Sequence, residues 1–171
     1  IVDRTDFAAL FAVSCETLDK LNAYLDLLEK WQKRVNLVAS STMKDAWQRH
    51  IWDSAQLVRF LEVDKPSILD VGSGAGFPGL VLAIMTEADL CLVESDQKKS
   101  VFLQTVIREC GLAAEVFNSR VEKLPPQGAD VITARALASV DRLLDLLEEQ
   151  FTKETRCLFL KGARVHEELS C

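Results

Sequence analysis

The chain has no run of 18 apolar residues among its 171, so no helix of it is expected to span a membrane. A basic start is missing as well. The opening IVDRTDFAALFAVSCETLDK carries acids where a signal peptide needs basic residues, so secretion is not expected. Cysteine pairing is absent: the five cysteines, at 15, 91, 110, 157 and 171, are odd in number, scattered, and form no C-x-x-C. That argues against a disulfide framework and against a zinc or other metal site. Cys91 and Cys157 lie in apolar, strand-like runs and read as inert core thiols. The expectation is a reduced, cytoplasmic protein. Positive charge is also short, with 20 Lys and Arg against 26 Asp and Glu and a net charge of −6. A typical nucleic-acid binder shows a basic footprint instead, although patches matter more than the total. Lys30, Lys33 and Arg34 do cluster within a turn and a half, and Lys98 and Lys99 are adjacent. Each cluster reads first as a solvated helix face.

What is present, 49% apolar residues in 171, suffices for one ordinary core and not for two. Residues 15–35 place Leu18, Leu21, Leu25, Leu28 and Trp31 at helical spacing. A second helix is expected over about 44–61, after the polar turn NLVASSTM. Beyond Lys65-Pro66 the rhythm changes. Strands are expected at 67–71, 90–95, 114–118, 129–136 and 156–162, with helices from Pro78, over 97–110 and over 139–151. Such alternation means an α/β fold, a Rossmann-like parallel sheet with helices on both faces. No repeat, low-complexity tract or linker interrupts it. The organisation expected is an N-terminal helical cap, 1–64, on a core, 65–171.

ILDVGSGAGFPG, residues 68–79, follows the first strand and opens a helix. The dinucleotide fingerprint G-x-G-x-x-G is met by Gly72 and Gly74 but fails at Phe77. A P-loop fails too, since no Lys-Ser or Lys-Thr follows the last glycine. The spacing is D-x-G-x-G-x-G, with Asp70 ahead of Gly72, Gly74 and Gly76. An acid there repels a pyrophosphate but suits an ammonium, received directly or through water. S-adenosyl-L-methionine carries such a group, with a sulfonium and no phosphate. Glu94 ends the second strand, where a carboxylate accepts both ribose hydroxyls. A methyltransferase is therefore favoured over an NAD-dependent oxidoreductase, which remains the first alternative.

The acceptor is constrained by further absences. No [DN]-P-P-aromatic motif follows the fourth strand, where the chain reads ITARAL, so an exocyclic amine is not indicated. No cysteine lies near 135 to act as the nucleophile that carbon methylation requires. A ring nitrogen such as guanine N7 brings its own lone pair. Catalysis then consists of alignment and tolerance of a moving positive charge.

VNLVASS, RHIWDS, ILDVGSGAGFPG, SRVEKLP, ITARAL and FLKG, in this order and at these intervals, resemble the ribosomal small-subunit methyltransferase G family, also called glucose-inhibited division protein B. The resemblance runs from about Leu25 to Gly162. It implies methyl transfer from S-adenosyl-L-methionine to N7 of one guanine in 16S ribosomal RNA. By position it carries cofactor contacts onto Gly72 and Phe77, onto Val121 and Glu122 near the adenine, and onto Arg135. Arg135 and Arg120 are the candidate catalytic residues. Arg135 suits either a target phosphate or the cofactor carboxylate, with a surface ion pair as the plain alternative. Arg120 is favoured as an RNA contact.

His50, Asp53 and Ser54 stand at i, i+3 and i+4 and share a helix face. They either pin the cap to the glycine-loop domain or shape the site facing the RNA. Asn36 is a cap or a base contact, and Lys161 of the Lys161-Gly162 pair is a phosphate contact. Phe77 has a plain reading as packing filler. Trp47 and Trp52 are expected to pack rather than to stack on a base. Methyltransferases of this type finish with an antiparallel hairpin, and the sequence stops at HEELSC before one, so part of the target-binding edge is expected to be missing. An RNA-binding or assembly factor without catalysis is the second alternative. An acidic protein is further expected to need a protein-bearing rather than a naked RNA.

Overall fold

The structure is a computed structural model and describes residues 4–135 and 137–161. Five parallel strands form one sheet: β1 (Ser67–Val71), β2 (Asp89–Val93), β3 (Ala114–Phe117), β4 (Val131–Arg135) and β5 (Arg156–Leu160). Their order across the sheet is β3-β2-β1-β4-β5, so the chain reverses direction of growth between β1 and β4. Ligands of open α/β sheets bind at that switch, beyond the carboxyl ends of the strands. Every strand expected from the sequence is present: β1 has the expected bounds, β2 begins one residue earlier and ends two earlier, β3 ends one earlier, β4 begins two later, and β5 ends at 160, while positions 136 and 162 lie outside the described residues.

The helices are α1 (Arg4–Phe11), α2 (Cys15–Gln32), α3 (Asp53–Ala55), α4 (Gly79–Thr86), α5 (Gln97–Cys110) and α6 (Val140–Leu146). Ser14 caps α2 by accepting from the Thr17 amide at 3.1 Å, and Asp96 caps α5 through the Lys99 amide at 3.0 Å. Gly111 ends α5 at φ 61°, in the left-handed conformation that glycine adopts freely.

The helix expected over 44–61 is not a single helix. It is a composite of a 3-10 stretch at Ser40–Asp45, a π-helical turn at Trp47–Trp52, the short α3, and a second 3-10 stretch at Gln56–Phe60. Apolar spacing marks which face is buried, not which hydrogen-bond register the backbone adopts. Likewise α2 stops at Gln32 rather than 35. The Gln32 side chain accepts from the Leu37 and Val38 amides at 3.0 and 3.1 Å and donates to the Val38 carbonyl at 2.8 Å, turning the chain there.

Alternation along the strands divides the core in two. Leu69, Val71, Val93, Ile132 and Ala134 face α6 and join Leu143 and Leu147. Ile68, Leu90, Leu92 and Val131 face the other way, into a larger cluster with Leu80, Phe102 and the cap residues Leu21, Tyr24, Leu28 and Ile51. Full burial of one such side chain is worth roughly 2 kcal/mol, so the cap and the sheet share one substantial apolar interior. Trp47 and Trp52 belong to it: their rings pack edge-on to Phe7 at 5.4 and 6.3 Å. The expected packing role is the one observed.

Candidate functional site

The glycine loop leaves β1 and passes between the carboxyl ends of β2 and β4. Gly72, Gly74 and Gly76 have φ of 62°, 55° and 92°, a region costly for any other residue. The nearest atom to a side chain added at Gly74 would be the Gly72 carbonyl oxygen at 3.8 Å, so this stretch of backbone is open to close approach. A Cβ at Gly72 would lie 2.6 Å from Leu137 Cδ1. Gly79 has another task. A Cβ there would sit 2.8 Å from Asp70 Cβ and 2.9 Å from Asp70 Cγ, so glycine lets α4 pack directly on β1. In the dinucleotide fingerprint the third glycine does this; here the task has moved to 79, which frees position 77 for an aromatic ring. Pro78 precedes α4 as its cap rather than opening it.

Glu94 closes β2 and is 8% exposed. Its Oε2 accepts from the Gly74 amide at 2.7 Å and its Oε1 from the Asp96 amide at 2.8 Å. A carboxylate has about four acceptor sites, so two remain after it has braced the loop. Asn118, which the sequence did not single out, donates to the Glu94 carbonyl at 2.9 Å and to Ser100 Oγ at 3.0 Å, tying β3 to this corner.

On the β4 side lies a second group. Arg135 Nη1 donates to His50 Nδ1 at 3.0 Å, and its guanidinium carbon is 5.0 Å from the centroid of the Phe77 ring. His50 Nε2 lies 2.9 Å from Thr42 Oγ1, and that hydroxyl donates to the Ala39 carbonyl at 2.7 Å. Arginine cannot accept, so Nδ1 must. The threonine proton is directed at Ala39, so Nε2 carries the imidazole proton. This chain is satisfied only by a neutral ring, and burial, then the charges of Arg135 and Arg49, lower the His50 pKa to about 4. Tyr24 completes the group: it stacks on Phe77 at 5.0 Å and its hydroxyl donates to the Ala75 carbonyl in the loop. Its pKa is pushed well up by burial.

Several expected site residues are placed differently. Asp70 is 0% exposed. Thr133 Oγ1 donates to its Oδ1 at 2.6 Å, while its Oδ2 has no partner. Burial raises its pKa to about 6. An ammonium arriving from solvent does not reach this enclosed carboxyl, because α4 lies over it. His50 and Ser54, expected either to pin the cap or to shape the site facing the RNA, are 5% and 0% exposed, and His50 bridges Thr42 of the cap and Arg135 of β4. Ser54 Oγ has no partner. Asp53 is half-buried and its pKa is raised by burial. Asn36, Arg120 and Glu122 are exposed, and Val121 is buried in the α6-side core. Lys161 Nζ donates to the Ala138 carbonyl, holding the segment after β4. Gly162 and the tail to 171 lie outside the described residues.

These residues fit S-adenosyl-L-methionine on two counts. The open backbone at Gly74 admits a ligand closely, and Glu94 keeps free acceptor sites for a pair of hydroxyls. Among the described residues no cysteine is placed as a nucleophile at the loop: burial pushes the Cys91 thiol up to about 12 and the Cys110 thiol to about 11, Cys157 lies near the amino end of β5, and Cys15 opens α2 in the cap.

Residues 17–171 match the family model described as GidB, rRNA small subunit methyltransferase G. The chain belongs to that family. Among curated relatives, ribosomal RNA small subunit methyltransferase G of Paramagnetospirillum magneticum is 50% identical, over 92% of this chain and 77% of the relative. The protein of the same name in Rhodospirillum centenum is 48% identical, over 97% and 77%. A SAM dependent methyltransferase from Aquifex aeolicus superposes with a TM-score of 0.56 at 19% identity, over 71% of this chain and 74% of that one. That likeness shows the fold: a Rossmann-like methyltransferase sheet, as the strand and helix rhythm indicated. The oxidoreductase alternative finds no support in these matches.

Tyr24, Thr42 and Thr133 escaped the sequence reading. Tyr24 occupies an apolar position of α2, and nothing local distinguishes it from a core residue. Asp96 did carry a signal, an acid directly before a helix.

Proposed function

We propose that this chain transfers a methyl group from S-adenosyl-L-methionine to N7 of one guanine in 16S ribosomal RNA. Family membership supports the ribosomal RNA methyltransferase class. The N7 acceptor rests on one observation: the imidazole at the site has both nitrogens committed and a pKa near 4, so it is not poised to take a proton. Guanine N7 needs no base, since its lone pair attacks directly.

When bound, S-adenosyl-L-methionine supplies a methyl group activated by a sulfonium. Transfer of that methyl to a ring nitrogen would carry the positive charge with it and would need no proton transfer from this chain's residues. Glu94 would hold the ribose hydroxyls, the Gly72–Gly74 backbone would lie against the ligand, and Val121 with Glu122 would border the adenine. Arg135, held by His50 and Phe77, fixes either the ligand carboxylate or the target phosphate by its planar fork. Catalysis is mainly alignment. The substrate is an assembling or finished small-subunit particle in the cytoplasm, in keeping with the acidity of the chain.

The test combines the protein, labelled S-adenosyl-L-methionine and small subunits from cells lacking the modification, followed by nuclease digestion and mass spectrometry. One N7-methylguanine in 16S RNA is the expected product. Cofactor binding without transfer would favour a catalytically silent assembly factor, and equal methylation of naked RNA would remove the particle requirement.

A further inference from the structure

The last turn of α2 and the first turn of α5 enclose a groove of about 740 Å³, lined by Lys30, Lys33, Arg34 and Lys98 together with Trp31 and Val101. Among the described residues no aspartate or glutamate lines it, in a chain with 26 acids and a net charge of −6. Among the described residues none of the four cations takes part in an ion pair. Along the sequence each cluster reads as a solvated helix face; the fold brings residues of both to one place.

Local helix energetics explain only part of the arrangement. A lysine in the last turn of α2 suits the negative end of that helix, but Lys98 sits in the first turn of α5, where the helix dipole disfavours a cation. Four like charges around one cavity also repel. Both costs are offset when a polyanion occupies the groove. The apolar part narrows the choice. Trp31 is half-buried, held edge-on against Phe102 at 5.7 Å, and Val101 is 44% exposed beside it. Phosphates on the rim and an aromatic ring inside are the pattern that single strands use, because only an unpaired base can leave its stack. The position agrees: Gln97 and Lys98 directly follow Asp96, whose amide is held by Glu94.

We propose that this groove binds a single-stranded stretch of RNA beside the modified nucleotide, with phosphates on Lys30, Lys33, Arg34 and Lys98 and a base on Trp31. The proposal rests on the RNA methyltransferase reading and names the surface that holds the substrate away from the reacting atom.

A labelled single-stranded oligoribonucleotide of about a dozen nucleotides is titrated with the whole chain over a range of salt. The variant Lys33→Ala, Arg34→Ala, Lys98→Ala should bind it at least tenfold more weakly at low salt. The slope of log K on log salt should fall by about 2, or about 0.7 per cation removed. S-adenosylhomocysteine affinity should not change. Trp31→Phe should keep RNA affinity and Trp31→Leu should lose it, and Lys33→Arg with Lys98→Arg should retain the slope. Unchanged affinity and slope in the triple variant would overturn the proposal. So would competition by polyglutamate as strong as by RNA, which would assign the groove to an acidic polypeptide. If the wild-type chain methylates no ribosomal particle while the triple variant still loses RNA affinity, the activity reading fails and the groove stands.

Discussion

The imidazole of His50 lies 4.8 Å from the ring of Phe77 and 20° from parallel to it. That pair joins the cap to the loop and, through Nδ1, sets the place of Arg135 at the end of β4. Residues from α2, the π-helical turn, the loop and β4 meet on a single ring. Position 77, where a dinucleotide site has glycine, is thereby the hub of this cluster.

Phe77→Leu keeps an apolar side chain but removes the stacking of His50 and Tyr24 and the face beneath Arg135. Each aromatic pair is worth about 1 kcal/mol, so unfolding stability should fall by about 2 kcal/mol. Single-turnover methyl transfer should fall by about tenfold or more, as expected when a site loses alignment. Thermal unfolding and rapid-quench transfer check the two effects. An unchanged transfer rate would remove Phe77 from the positioning of Arg135.

His50 should titrate near pH 4 by NMR. Its folded pKa lies below its unfolded one, so the unfolded chain takes the proton first. Stability from this residue is present above about pH 6.5 and is lost as pH falls toward about 4. Asp70 runs the other way: raised to about 6, it contributes stability at low pH that is lost as pH rises through 6. The two oppose each other between about 4 and 6, so the comparison of wild type with His50→Gln in urea isolates the histidine. A difference independent of pH would contradict the neutral, double-bonded ring.

Gly79→Ala and Gly74→Ala separate packing from backbone strain. At Gly79 the new Cβ meets Asp70 within 2.8 Å, and overpacking of this kind costs about 1–3 kcal/mol. At Gly74 there is space, and the cost is the left-handed backbone alone, about 1 kcal/mol. Denaturant unfolding should therefore rank Gly79→Ala as the less stable. Cofactor titration should rank Gly74→Ala as the weaker binder, since its methyl intrudes on the open backbone.

Glu94→Gln places an amide nitrogen against one of two N–H donors, Gly74 or Asp96. A hydrogen bond to a charged group is worth about 1.5–3 kcal/mol, so S-adenosylhomocysteine should bind roughly 10–100-fold more weakly by calorimetry. Equal affinity would show that the carboxylate serves only the loop.

The sequence by itself determined the parallel sheet, the glycine loop and the acid at the end of β2. Those features are local: alternation in strands, helical spacing and turn residues are written within a dozen consecutive positions. The tertiary structure alone decided the rest. It sealed Asp70 beneath Gly79, broke the expected cap helix into 3-10, π and α turns, and put Tyr24 and His50 on Phe77. It also moved two lysine clusters, more than 60 positions apart in the chain, to one groove. Burial and hydrogen-bond partners come from residues distant in sequence, so a side chain's neighbours, and with them its charge state and task, exist only once the sheet and its helices have packed.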